Sequence, residues 1–247
     1  MFPAIVIPAR FASTRFPGKP LHHLAGKPMI QHVWERCRLA KRTETILIAT
    51  DDDRIRLAAE GFGARVVMTS PDHPSGTDRI AEAAEALPQC DVFLNVQGDE
   101  PLVCPELIDR LLAALENDPA ADMVTAAVPV SAAEGFTDPN AVKVVITADG
   151  TALYFSRSPI PHHRDPGSSP PPWLRHKGIY GYRRDFLRRF VSWPPTPLEQ
   201  AECLEQLRAL EHGARIRVIT TTDDSPGVDT PQQAEILEKQ MLPQNSP

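Results

Sequence analysis

The chain opens with a continuous apolar, β-branched run at residues 4–7, the pattern of a buried parallel strand. A loop holding Pro17, Gly18, Pro20 and Gly26 follows over residues 8–27. Pro28 suits a first helical turn, and Met29, Ile30, Val33, Trp34 and Cys37 then recur at helical spacing. Residues 28–40 are therefore predicted to be a helix. The alternation continues, with strands predicted at 45–49, 65–68, 91–96 and 123–128 and helices at 51–60, 78–87 and 105–116. Such a strand–helix alternation predicts an α/β fold with a mostly parallel sheet and helices on both faces. Beyond residue 130 the pattern changes. Residues 142–146 and 152–155 are expected to be strands of hairpin character, followed by a Pro-rich loop over 158–172. A strand at 178–183, helical stretches at 185–190 and 198–210, a strand at 217–221 and a helix at 231–240 complete the chain.

Composition narrows the class. The 247 residues are 42% apolar and 23% charged, which fits a globular protein and excludes a disordered or collagen-like chain. No run of about 18 apolar residues exists to span a membrane, and the N-terminus lacks the basic region of a signal peptide. Cys37, Cys90, Cys104 and Cys203 form no C-x-x-C pair, so reduced thiols in a cytoplasmic protein are expected. The net charge of −6 argues against nucleic acid as a partner. Its distribution is uneven. Arg10, Arg15, Lys19 and Lys27 precede the first acid, Glu35, so a basic segment of +4 stands on a remainder of −10. This looks like a local anion site.

Four motifs carry candidate chemistry. Residues 8–20 place Arg10, Arg15 and Lys19, with Ser13, Thr14 and Gly18, directly after the first strand. Ligands of open α/β sheets bind beyond the carboxyl ends of the strands, and this mixture of cations and backbone N–H groups suits a triphosphate. The Walker pattern G-x-x-x-x-G-K-[ST] is absent. A solvated basic loop is the plainer alternative, disfavoured by the position and the lack of acidic neighbours. Gly61 and Gly63 half-match a dinucleotide fingerprint, but they join a helix to a strand and so predict a helix end. In Asn95–Pro101 (NVQGDEP), Gly98 is expected to bend the backbone and Asp99 to point into the same crevice. A carboxylate beside phosphates calls for a divalent cation. Asp229, in the GVDTP segment, is either a second such carboxylate or, like Thr230, a helix cap before Pro231. Ser75, Gly76 and Arg79 open a helix where a ribose or base edge can be held, although a plain helix start explains them equally well. Arg157, His176, Tyr180, Glu205 and Gln206 scatter through the last hundred residues, and each alone reads more simply as structural.

Taken together, IPARFASTRFPGKPL, ATDD, SGTDR, NVQGDEP, NAVKVV, ALYFSRSPIP, RHKGIYGYR, LEQLRAL and GVDTP resemble the 3-deoxy-manno-octulosonate (Kdo) cytidylyltransferases in order and over residues 4–240. Only the Pro-rich loop at 161–174 departs from the pattern. The resemblance implies a single Rossmann-like nucleotidyltransferase domain over 1–247, with a smaller antiparallel extension at roughly 130–212 for the sugar and a homodimer interface. It implies Mg²⁺-dependent transfer of CMP from CTP to Kdo for lipopolysaccharide synthesis in the cytoplasm. Arg10, Lys19 and Asp99 would then be catalytic. Ala9, Arg10, Ser13, Arg15, Lys19, Ser75, Gly76, Arg79 and Gln97 would bind CTP. Asp99 and Asp229 would hold Mg²⁺, and Arg157, His176, Tyr180, Glu205 and Gln206 would line the sugar pocket. The alternatives are a cytidylyltransferase for another acidic sugar, such as a sialic acid or amino-Kdo, and a non-catalytic CTP sensor.

Overall fold

The computed structural model describes residues 1–12, 15–131, 135–164 and 172–242. The chain folds into two compact units: Phe2–Asp109 with the segment from Ser225 onward, and Arg110–Asp224.

In the first unit, β1 (Pro3–Ala9) leads through a 3-10 turn at Lys19–Leu21 to a small hairpin, β2 (His23–Leu24) and β3 (Lys27–Pro28). Then come α1 (Met29–Cys37), β4 (Ile46–Thr50), α2 (Asp53–Gly61), β5 (Arg65–Met68), α3 (Gly76–Ala84) and β6 (Val92–Asn95). α4 (Pro105–Asn117) carries the chain into the second unit. The first-unit strands lie in the order β6-β1-β4-β5, all parallel. β1 and β4 are apolar and buried along most of their length because they are paired on both edges and covered on both faces. Pro28 is extended, at φ −55° and ψ 142°, and belongs to the hairpin, so α1 starts one residue later than the sequence predicts. Arg38 caps the helix with its amide still on the Trp34 carbonyl, and residues 39–40 continue it only as i→i+3 turns. α3, by contrast, starts earlier than expected, because the Ser75 hydroxyl caps the Thr77 and Asp78 amides.

In the second unit, β7 (Met123–Val130), β8 (Lys143–Ile146), β9 (Ala152–Ser156) and β10 (Trp173–Arg183) precede three helices. These are α5 (Arg184–Ser192), α6 (Pro197–Glu202) and α7 (Gln206–Glu211), and β11 (Ile216–Thr220) follows. β11 pairs parallel with β7, whereas β7-β10, β10-β8 and β8-β9 are antiparallel, the last being the hairpin expected over 142–155. Two expectations need correction. The strand expected at 178–183 begins at Trp173, because residues 173–177 pair with β7 ahead of a bulge at Gly178 and Ile179. The helix expected over 198–210 is two helices, broken where Cys203 adopts a left-handed conformation at φ 50°.

From Ser225 the chain rejoins the first unit and ends in α8 (Pro231–Met241), capped by Thr230 with Gln233 closing a capping box. Ala234 and Leu237 of α8 pack with Phe16, Leu24, Met29 and Val228. Burying one such large side chain contributes about 1.5–3 kcal/mol. This small core fastens both the basic loop, through Phe16, and the segment before α8, through Val228.

Candidate active site

β1 and β6 run parallel, so their carboxyl ends open on the same edge of the first unit. There the backbone makes its closest approach. A Cβ at Gly98 would lie 2.9 Å from the Pro8 carbonyl oxygen and 3.2 Å from Ile30 Cδ1. The chain turns at Gly98 and Asp99 as expected, but glycine is required there by the neighbouring strand and not by a left-handed backbone. The Val228 amide donates to the Asp99 carbonyl at 2.9 Å, which draws the segment before α8 against the turn after β6.

These approaches frame a cavity of about 380 Å³. Ala9, Arg10, Arg15, Lys19, Gly76, Arg79, Gln97, Asp99 and Asp229 all line it, so residues far apart in the sequence are brought together as the motifs imply. Ser13 lies outside the described residues. Ser75 turns its hydroxyl inward, accepting from two amides and donating to Asp78 at 2.6 Å, and leaves the lining to Gly76.

Lys19 stands between the two carboxylates. Its Nζ donates to Asp99 Oδ2 at 2.6 Å and to Asp229 Oδ1 at 3.2 Å. Arg15 reaches the same Asp229 oxygen at 3.2 Å, but both groups are open to water and the pair adds little stability. Asp229 is not the helix cap, since Thr230 performs that task, and its carboxylate faces the cavity. Two hard carboxylates converging on one cation are the donor set a magnesium ion uses beside waters and phosphate oxygens. Among the described residues no group of three or more His, Cys, Asp or Glu gathers to hold a metal without such help.

The other cations are held differently. Arg10 and Arg15 are exposed. Arg79 is almost fully buried, donates to Thr69 Oγ1 and lies 3.4 Å from Asp51. Burial works against its charge, and Asp51 opposes that effect. The role of Asp51 was not legible beforehand, although an acid immediately after a buried strand was an available signal. Gln97 donates its amide to Asn95 Oδ1 at 3.1 Å, which fixes its orientation at the cavity wall. Arg10, Arg15, Lys19 and Arg79 thus outnumber Asp99, Asp229 and the Asp51 that pairs with Arg79, a surplus of positive charge suited to a polyanion.

The second unit gathers part of the scattered set. The bulge at Gly178 and Ile179 keeps His176 and Tyr180 opposite Ala127 and Thr125, with ring centroids 5.4 Å apart. The Tyr180 hydroxyl donates to Gln206 Oε1 at 3.1 Å. Gln206 is buried, and its Nε2 has no hydrogen-bond partner among the described residues. The Thr125 hydroxyl donates to the Ile179 carbonyl at 2.8 Å, so His176 Nε2, 3.0 Å away, is the donor to Thr125. Burial lowers the His176 pKa to about 3, keeping the ring neutral, and raises that of the Tyr180 phenol. Arg157 is engaged elsewhere, donating to the carbonyls of Pro139, Glu202 and Cys203. Glu205 lies 3.4 Å from Arg208, which is held by both oxygens of Glu199.

Residues 4–216 match the protein family described as Cytidylyltransferase. The 3-deoxy-manno-octulosonate cytidylyltransferase of Geobacter sulfurreducens is 52% identical over 95% of this chain and 97% of its own. That of Myxococcus xanthus is also 52% identical, over 96% of this chain and 95% of its own. The solved structure of CMP:2-keto-3-deoxy-manno-octonic acid synthetase complexed with CTP superposes with a TM-score of 0.93 at 44% identity, covering 98% of both chains. A cytidylyltransferase from Leptospira borgpetersenii, 18% identical with a TM-score of 0.65 over 96% of this chain and 85% of its own, shares the fold.

Proposed function

The chain belongs to the 3-deoxy-manno-octulosonate cytidylyltransferase family, and on that premise we propose that it transfers CMP from CTP to the anomeric hydroxyl of Kdo. The observation that carries the reading is the cavity where Arg10, Arg15, Lys19 and Arg79 meet Asp99 and Asp229 at the ends of buried parallel strands. The sugar hydroxyl oxygen bonds to the α-phosphorus, the bond to the bridging oxygen of the β-phosphate breaks, and pyrophosphate leaves as the hydroxyl proton is released. Such a step requires positioning and charge neutralisation more than covalent help. Arg10, Arg15 and Lys19 supply charge to the triphosphate, and Ala9, Gly76 and Gln97 surround the cytosine. To reach a phosphate, Lys19 exchanges its carboxylate partners for the nucleotide. Asp99 and Asp229 are then available to Mg²⁺, which when bound stabilises negative charge on the phosphates.

His176, Tyr180 and Gln206 form the sugar subsite in this reading, whereas Arg157, engaged with the Pro139, Glu202 and Cys203 carbonyls, and Glu205, near Arg208, would act on the sugar only by exchanging those partners. A neutral imidazole and an unpaired amide N–H suit hydroxyl and carboxylate oxygens of an acidic sugar. Cytoplasmic action fits a CTP-consuming reaction and four free cysteines. Among the described residues no helix is long and apolar enough to cross a membrane. The homodimer and the lipopolysaccharide pathway rest on the family resemblance.

Pyrophosphate release measured with CTP, Mg²⁺ and Kdo, omitting each in turn, tests the reaction. Release must require all three, and sialic acid must serve poorly. CTP binding without release for any acidic sugar would favour a sensor. Gln206→Ala should raise the Michaelis constant for Kdo and leave the calorimetric affinity for CTP intact.

A further inference from the structure

The loop that carries Arg15 and Lys19 is closed at its neck. The Gly18 amide donates to the Phe11 carbonyl at 3.0 Å. Gly18 has φ +71°, and a Cβ there would stand 3.0 Å from Phe11 Cζ, so the phenyl ring rests against the bare glycine. The Arg54 guanidinium lies over the same ring, 3.3 Å from its centroid. Arg54 is itself fixed, because Nε and Nη2 donate to the two oxygens of Asp52 at 2.9 and 2.6 Å. Asp52 is in turn fixed as the cap of α2. The neighbouring Asp51 pairs with Arg79 in the cavity wall. Consecutive acids after β4 thus each hold an arginine, Asp51 the Arg79 of the cavity wall and Asp52 the Arg54 that stacks on Phe11 at the loop neck.

We propose that Arg54, held by Asp52 and stacked on Phe11, is a positioning residue for CTP that keeps the loop neck in its binding form. The inference rests on the CTP reading above. Neither Arg54 nor Phe11 lines the cavity, so any effect on the nucleotide passes through the loop. A loop rich in Gly and Pro loses freedom when it closes on a ligand, and one ordered beforehand binds more tightly. The guanidinium–ring contact supplies that order without occupying the site.

The test is a double-mutant cycle in CTP affinity, measured by calorimetry on the full chain. Arg54→Ala removes the guanidinium. Phe11→Leu keeps an apolar contact with Gly18 and removes the aromatic face. Each single variant should weaken CTP binding about two- to fivefold, and the double variant should be no weaker than either. Phe11→Tyr should match the parent, and the Michaelis constant for Kdo and the melting temperature should not move. Hydrogen exchange at the Gly18 amide in the free protein should quicken in Arg54→Ala. Parental CTP affinity in Arg54→Ala overturns the proposal. So does an Arg54→Ala effect that persists undiminished beside Phe11→Leu, which would mark a long-range charge effect. A parent protein that binds no CTP overturns the functional reading as well, whereas normal CTP binding without coupling overturns this inference alone.

Discussion

Replacing Gly98 by Ala inserts one methyl group between β1 and the turn after β6. Its nearest neighbours would be the Pro8 carbonyl oxygen at 2.9 Å and Ile30 Cδ1 at 3.2 Å. Pro8 lies in a strand paired with β4, so its carbonyl cannot swing aside as a side chain can. Relief of the clash requires roughly half an ångström of movement, and the turn carrying Asp99 is the part free to give. The 2.6 Å contact between Lys19 and Asp99 and the 2.9 Å bond from Val228 to the Asp99 carbonyl both lengthen as a result. Overpacking of this kind costs about 1–3 kcal/mol, which for a chain of this size lowers the melting temperature by roughly 3–10 °C. A misplacement of about 1 Å can cost ~100-fold in rate, so half that distance should cost roughly tenfold. Melting curves and pyrophosphate release are compared with those of Gly61→Ala, whose Cβ would meet nothing within 4 Å. That control should hold its activity and melt at or slightly above the parent, because alanine restricts the unfolded chain. A Gly98→Ala protein with parental melting and rate would refute the close-approach argument and return Gly98 to an ordinary turn.

Asp99→Asn and Asp229→Asn should each lower turnover ~100-fold or more with little change in melting, and Lys19→Ala should lower it at least ~10-fold. An Asp229→Asn enzyme with the parental rate and Mg²⁺ requirement would exclude a metal role for that residue. The His176 pKa is lowered from 6.5 to about 3 by burial, so the unfolded chain takes up this proton more readily than the fold. Its contribution to stability is complete above pH 6.5 and is lost as pH falls from there toward about 3. The ring resonances of His176 should stay flat in an NMR titration from about pH 8 to 4.5, and a midpoint near the ordinary histidine value of about 6.5 would show the pocket open to water. Among the thiols, exposed Cys203 should react first with a disulfide reagent, while buried Cys37 and Cys90 should react only on unfolding.

Much of the fold was decided locally and could be read in the chain. Buried parallel strands must be continuous apolar runs, and Ala4–Ile7 and Leu47–Ala49 are such runs. The helical stripe from Met29 to Cys37 and the Thr230–Pro231 start of α8 are equally local. That Arg10, Lys19, Gln97 and Asp99 share one cavity was legible because they follow strands whose carboxyl ends open on the same edge. Other features depend on contacts that no local pattern encodes. The two partners of Lys19 lie 80 and 210 positions away, so its place between the carboxylates follows from how β1, β6 and the α8 start converge. Gly98 is dictated by a carbonyl on another strand, and β10 gains its first five residues from pairing partners that outweigh weak local propensity. Arg54 carries no motif of its own, and only the folded chain lays its guanidinium over Phe11. Periodicity records which face of an element is buried, whereas charge positions inside the cavity are fixed by packing between elements distant in sequence.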